Sequence, residues 1–419
     1  MIHIRQLLKR YHYVSWALVD QAMVSGVNFL IGLLLARFLG ISAFGVFTLA
    51  WMVVLFVNSI QMAMISAPMM TVGPQQLKEN EDAYYNTLFF QQIIFSTISS
   101  LCVLIGVFFI DLFQPTMEVL SFAVPLVATV FVVQIQDFIR RIFFVRDRQK
   151  NAVLIDAVNY IGQVFVLAML IFCSYLSIST ALWGMFFSSV ISVLVGVWLL
   201  GGVAWKKNML QPVFLQHWKI SKWMVGSTLM QWVSGNFFVL AAGVLLGTSA
   251  VGAIKVAQSL VGVVNVVVQG MENFLPSRAA REFTNKGVLG LNLFINKILI
   301  YLGGVVGCVF ALMAIFSKIL LITLYGEQYA SFDSVLRMMA LVGFVGFSIV
   351  PVGAALRVLE NTKAVFISFI FSSAFSLLCA YPMVDNFGLP GVLAGLLISK
   401  IIPACTMYYY YRQSARAVC

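Results

Sequence analysis

Charged side chains lying inside long apolar runs are the residues of this chain with the most chemical potential. Lys400 stands about eleven residues into an apolar run over 389–411, and Lys255 about five residues into another over 250–274. Arg37, Arg337, Arg140, Arg141 and Arg357 sit at the ends of further runs. The acids are Asp20, Asp156 and Glu272, with Asp137 four residues before Arg141. A charge at the centre of a hydrocarbon layer costs about 2.5–3.5 kcal/mol, so one that persists lines a hydrated interior or is paired.

That rule assigns each residue a role and a plainer alternative. Lys400 reads as a cation facing a hydrated interior, with a structural acid pair as the alternative. Lys255 fits an interior cation or a side chain that snorkels to the surface. Interfacial anchoring accounts for Arg37 and Arg337, and charge asymmetry between loops accounts for Arg140, Arg141 and Arg357. Asp137 and Arg141, four apart on a helix, are expected to pair locally. Asp20, about two turns inside its run, could exchange a proton or bind sodium, or act as counter-charge to an interior lysine. Asp156 and Glu272 lie nearer a surface, where a solvated or helix-end role competes with ion coupling.

Other chemistry finds little support. His3, His12 and His217 all fall outside the apolar runs, and no HExxH or Ser/His/Asp arrangement occurs. No GxxxxGK[ST] loop is present to cradle a nucleotide. The six cysteines are scattered without CxxC spacing and read as small apolar packing residues. The chain is therefore not expected to be an enzyme, and no metal or cofactor is expected. Amides recur inside the runs, among them Asn28, Asn58, Gln61, Gln92, Gln134, Gln136 and Gln163. They could glue helices together or line a polar cavity. Pro125, Pro351, Pro382 and Pro403 fall inside runs and are expected to kink them.

The elements that must carry these residues are membrane helices. The 419 residues are 61% hydrophobic and 10% charged, with a mean hydropathy of +0.98. Soluble domains average about a quarter charged residues. Twelve runs of bilayer length are expected, near 14–37, 43–66, 86–110, 119–143, 153–175, 179–204, 222–246, 250–274, 292–316, 334–356, 362–384 and 389–411. The first is too long for a signal-peptide core and reads as a retained helix. The net charge of +11 does not indicate nucleic acid. Basic residues collect in alternate loops, after the fourth, sixth and eighth runs, which predicts both termini in the cytoplasm.

The chain also repeats itself. Leu39–Asn58 lies over Leu246–Asn265 with nine of twenty positions identical. Each copy is a Gly-x-Ser-Ala-x-Gly turn leading into an apolar helix. Six runs per half make the copies parallel repeats. The expected organisation is an N-terminal six-helix bundle over 1–205, a basic cytoplasmic linker over 206–221 with a short amphipathic helix carrying Trp218 and Trp223, and a C-terminal bundle over 222–419.

The segment Leu34-Leu35-Ala36-Arg37-Phe38-Leu39-Gly40, followed by Phe44-Gly45 and a long apolar run, resembles the first hairpin of the polysaccharide-unit (Wzx-like) flippases. Leu324-Tyr325-Gly326-Glu327-Gln328-Tyr329 is similar to a second element of that family. These flippases belong to the wider superfamily of multidrug extruders, oligosaccharidyl-lipid flippases and lipid II flippases. The resemblance implies an all-α, polytopic, V-shaped pair of bundles working by alternating access. It implies a cargo, an undecaprenyl-pyrophosphate-linked oligosaccharide moved to the outer leaflet of a bacterial inner membrane. It also implies a bilayer, a proton or sodium as coupling ion, and polymerase and chain-length proteins of one pathway as partners. Lys400, Lys255, Arg37, Arg140, Arg141 and Arg357 are then candidates for the diphosphate, and Asp20, Asp156 and Glu272 for the coupling ion. Multidrug efflux, a lipid II flippase and a non-transporting scaffold are the rival readings. Basic residues in or near the runs outnumber the acids, which disfavours efflux of cations.

Overall fold

Backbone polar groups in hydrocarbon must be satisfied within their own segment, so apolar runs of this length become helices. The computed structural model describes residues 2–75, 78–113, 118–202 and 210–418. The side chains of 2–18, 75, 78–80, 220, 265–274, 276, 277, 417 and 418 lie outside that description. Among the described residues the chain is wholly helical. The helices are α1 (Ile2–Leu39), α2 (Ile41–Gln61), α3 (Ala67–Val72), α4 (Lys78–Phe113), α5 (Ala123–Val145), α6 (Gln149–Phe172), α7 (Ile178–Leu200), α8 (Leu210–Leu245), α9 (Thr248–Lys297), α10 (Gly303–Ile315), α11 (Ser317–Tyr325), α12 (Asp333–Val358) and α13 (Thr362–Val418).

Among the described residues, ten helical stretches are long and apolar enough to cross a membrane. One of them, Thr362–Arg416, holds two of the twelve expected runs, because Gly388 turns the backbone at φ +58°. Thr248–Val264 is a shorter apolar helix that overlaps the expected eighth run. Gly287 breaks α9 in the same way as Gly388 breaks α13, at φ +61°. The protein is an all-α, multi-pass membrane protein.

Local chemistry explains several departures from straight helices. A π-turn over Met62–Ser66 joins α2 to α3 just before Pro68. Proline lacks an amide hydrogen and crowds the preceding turn, which a widened turn relieves. Pro125, expected to kink a span, instead falls in the first turn of α5, where its missing N–H leaves no bond unmade. Pro351 lies within α12, and Pro382 and Pro403 within α13. The Leu324–Tyr329 element is a turn: Gly326 ends α11 at φ +101°, and Tyr325 and Tyr329 pack edge to face at 5.8 Å.

The residues form two compact units, 1–39 with 50–228 and 40–49 with 229–419. In the first, Met69, Tyr84, Leu88, Phe138 and Ile142 make one core. Ile139, Phe143, Ala152 and Ile155 make another between α5 and α6. Of the expected linker, 206–209 lie outside the described residues. Leu210–Ser221 is the start of the unbroken α8 and not a separate short helix. It is tied to the first unit by Gln91, whose amide donates to Leu210 O at 2.8 Å, and by a 2.8 Å bond between Tyr84 and His217. In the second unit, buried serines link α8 to both parts of α13. Ser234 meets Ser372 at 2.5 Å, and Ser372 Oγ donates to Ser399 O at 2.7 Å. Small residues of this kind let membrane helices approach closely.

The two turns of the repeat meet inside the second unit. Ser42 and Thr248 hydroxyls bond at 2.8 Å. A Cβ added to Gly45 would stand 1.8 Å from Thr248 O, and one added to Gly252 would stand 2.4 Å from Ile41 O. These two contacts exchange under the 207-residue shift, so the turns pack reciprocally on one another. That packing places 40–49 with the C-terminal helices.

Candidate functional site

The charged site of the first unit is built where α1, α5 and α6 meet. Along α5, Gln136, Asp137, Arg140 and Arg141 recur at helical spacing, so one turn presents two amphipathic pairs. Arg140 Nη2 donates to Asp20 Oδ2 of α1 at 2.5 Å, and its Nε lies 2.5 Å from Asp156 Oδ2 of α6. The other oxygen of Asp156 accepts from Gln136 Nε2 at 2.8 Å. Asp20 and Asp156 are 1% and 0% exposed, against 17% for Arg140. The guanidinium also lies over the Phe144 ring at 5.4 Å. Beside this trio, Arg141 Nε bonds Asp137 Oδ2 at 2.7 Å. Tyr160, one turn beyond Asp156, hydrogen-bonds Asn28 of α1. Further along α6, Asn159 Oδ1 accepts from Gln163 and from Ser189 of α7, both at 3.0 Å.

Three carboxylates thus face two guanidiniums, a surplus of one negative charge if all are ionised. An arginine keeps its proton in proteins, so a proton entering this site can only go to a carboxylate. Asp20 Oδ1 is buried without a hydrogen-bond partner. Asp156 Oδ2 and Arg140 Nε are likewise buried without a hydrogen bond, their contact being an ion pair only.

The structure gathers some of the candidates and leaves others apart. Asp20, Asp156 and Arg140 form one constellation, and Arg141 pairs with Asp137 as the spacing predicts. Two expectations need correction. Asp156 is not solvated near a surface; it is sealed from solvent, with one oxygen accepting from Gln136 and the other ion-paired with Arg140. The counter-charge of Asp20 is Arg140 and not a lysine, so Arg140 is already engaged twice over. Arg37 and Arg357 are exposed in the last turns of α1 and α12, where helix-end carbonyls favour a cation. The side chain of Glu272 lies outside the described residues.

Lys255 and Lys400 belong to the second unit and are half-buried. Among the described residues, no carboxylate lies within ion-pair distance of either. Lys400 follows Ser399, whose carbonyl anchors the serine link to α13. Sequence reasoning missed Tyr160 and the Tyr84–His217 pair. The i,i+4 spacing of Asp156 and Tyr160 is a signal that could have drawn attention to the first. Nothing in sequence points from Tyr84 to a residue 133 positions away.

Residues 34–334 match a family described as polysaccharide biosynthesis protein. No curated protein matches the chain in sequence. The fold is similar to that of a multidrug resistance MATE family transporter of the MOP superfamily in an inward-facing conformation, at 16% identity over 95% of each chain with a TM-score of 0.75. An outward-facing structure described in the same words gives 17% identity over 97% of this chain and 96% of that one, with a TM-score of 0.64. A MOP superfamily transporter from Pyrococcus furiosus, described as having a binding pocket of reverse polarity that suggests a different function, gives 15% identity over 97% and 96% and a TM-score of 0.66. At such identities the likeness is one of fold. The family match covers well over half the chain, and the protein belongs to the polysaccharide biosynthesis protein family, on the fold of MOP-superfamily transporters.

Proposed function

We propose that the protein moves an undecaprenyl-pyrophosphate-linked oligosaccharide from the cytoplasmic to the outer leaflet of a bacterial inner membrane. The polymer served is a surface polysaccharide such as O-antigen, capsule or exopolysaccharide. The family match supports the cargo class. The observation that carries the reading at the site is the pair Lys255 and Lys400, cations in membrane helices with no carboxylate partner among the described residues. A diphosphate is the natural partner for such charges. The two six-helix halves are the bodies that alternate access, with both termini in the cytoplasm.

Asp20 and Asp156 on Arg140 are the proposed coupling site. Protonation of one acid removes the surplus negative charge and loosens the arginine. Without a nucleotide loop, a gradient of protons, sodium or the cargo itself is the remaining source of drive. A second reading, proton- or sodium-coupled efflux of cations, has the fold neighbours and this acid cluster in its favour.

Translocation in reconstituted vesicles separates the two. Protein-dependent crossing of the lipid-linked oligosaccharide, accelerated by a pH gradient in the wild type and not in Asp20→Asn, is the expected result. Efflux of cationic dyes with no crossing of the glycan lipid would transfer the protein to the efflux reading.

A further inference from the structure

Away from the charged site, the first unit contains a cavity of about 980 Å³ between α2, α4 and the first turns of α8. Its long wall is a single stripe of α4: Gln91, Ile94, Ile98, Cys102, Gly106 and Ile110. Steps of three and four keep these on one helix face. From Gln91 to Ile110 a rise of 1.5 Å per residue makes the stripe about 29 Å long. That is about the ~30 Å thickness of bilayer hydrocarbon. The opposite wall is apolar too, with Phe56 and Ile60 of α2 and Phe214 stacked on Trp218 of α8. Ile94, Ile98, Cys102 and Ile110 are exposed, so the groove opens to the surroundings of the helix.

Apart from Ser99, whose hydroxyl donates back to Ser96 O, the polar groups of the lining collect at one end. Gln91 reaches Leu210 O there, and Ser221 Oγ lies 3.2 Å from Met64 O. The bond between Gln61 and Gln92 sets the end of α2 against the interior of α4 at this level. His217 lines the same end, is 3% exposed, and bonds Tyr84 through Nε2. Its Nδ1 is buried with no partner among the described residues. Lys219 and Lys222 are exposed on the adjoining turn of α8.

The geometry points to a groove along α4 that holds the isoprenoid chain of the lipid-linked cargo, with the anionic head at the His217 end. Length selects the occupant. A phospholipid acyl chain ends near the midplane, about half the hydrocarbon thickness, and would leave half of the stripe unfilled. A polyprenyl chain longer than one leaflet fills all of it. Charge selects the polarity, because the basic residues and the unpartnered imidazole nitrogen lie at one end. The identity of the chain rests on the proposed transport reading; the groove itself does not.

Cys102 reports on occupancy directly. The full chain, with Cys102 as its sole cysteine, is placed in nanodiscs and labelled with a lipophilic maleimide. Undecaprenyl pyrophosphate should slow labelling of Cys102 by tenfold or more, and an equal amount of phosphatidylglycerol should not. A Cβ at Gly106 would meet nothing within 4 Å, so Gly106→Trp can fill the groove without disturbing the helices. That variant should lose both the protection and glycan-lipid crossing, while Gly106→Ser keeps both. Equal protection by phosphatidylglycerol, or none by either lipid, overturns the groove. So does a folded Gly106→Trp protein that keeps protection. Protection by undecaprenyl pyrophosphate in a wild type that moves no glycan lipid would sustain the groove and sink the transport reading instead.

Discussion

Replacing Arg140 with methionine tests the charged trio most directly. The change removes the only guanidinium within ion-pair distance of Asp20 and Asp156 among the described residues, both of which are essentially sealed from solvent. At an effective dielectric near 20, each contact is worth about 4 kcal/mol. Desolvation of three charged groups offsets part of that sum. Removing one partner from a buried ion pair costs about 3–5 kcal/mol, and R140M should fall in that range. Apparent melting in detergent, followed as the surviving monodisperse fraction after heating, reads the loss. Arg140→Lys should recover only part of it, since a single ammonium cannot span two acids as a planar fork does. The triple variant D20N/R140M/D156N should recover most of it, because no buried charge is left unpaired. If R140M alone fails to fold, recovery by the triple variant still carries the argument. Wild-type melting for R140M, or a triple variant no better than R140M, would refute the electrostatic account.

The remaining expectations concern packing, cargo and pH. Gly45→Ala drives a Cβ to 1.8 Å from Thr248 O and should destabilise by about 3 kcal/mol; Gly26→Ala, with nothing within 4 Å, should be neutral or better, and similar melting of the two would discredit the reciprocal turn contact. Lys400→Ala should elute and melt like wild type yet lose glycan-lipid crossing by tenfold or more, and undiminished crossing would remove Lys400 from the cargo site. Burial lowers the His217 imidazole to about 4 from its usual 6.5. The unfolded chain then binds more protons between those values, so stability is full above about pH 6.5 and falls as pH drops towards 4. His217→Gln should flatten that slope, and an unchanged slope would assign it to other groups.

Much of this protein is legible one helix at a time. Hydropathy marks the long apolar runs as helices, because hydrocarbon leaves the backbone no partner but its own helix. Twelve are expected, and the described residues hold ten stretches long and apolar enough to cross, one of them containing two of the runs. Gly388 marks the break between the last two runs, and Asp137 and Arg141 pair because four residues bring them to one face. The repeat is visible as identities. The resemblance in Leu34–Gly45 and Leu324–Tyr329 leads to the family that the match over 34–334 supports.

The tertiary structure decided the rest. Asp20, Arg140 and Asp156 are separated by 120 and 16 residues, and sequence offers each a role of its own without joining the three. What joins them is the rotational phase and depth of α1, α5 and α6, which no single helix encodes. The same holds for Gly45 and Gly252: sequence presents them as copies, and only packing sets each against the backbone of the other's turn. Pro125 looks like a kink in the sequence and sits in a first turn in the fold, because hydropathy does not fix where a helix begins. The groove on α4 is a stripe like any other membrane-facing stripe until α2 and α8 wall it in. Periodicity and hydropathy act along a chain, whereas ion pairs, close glycine contacts and cavities depend on which faces meet.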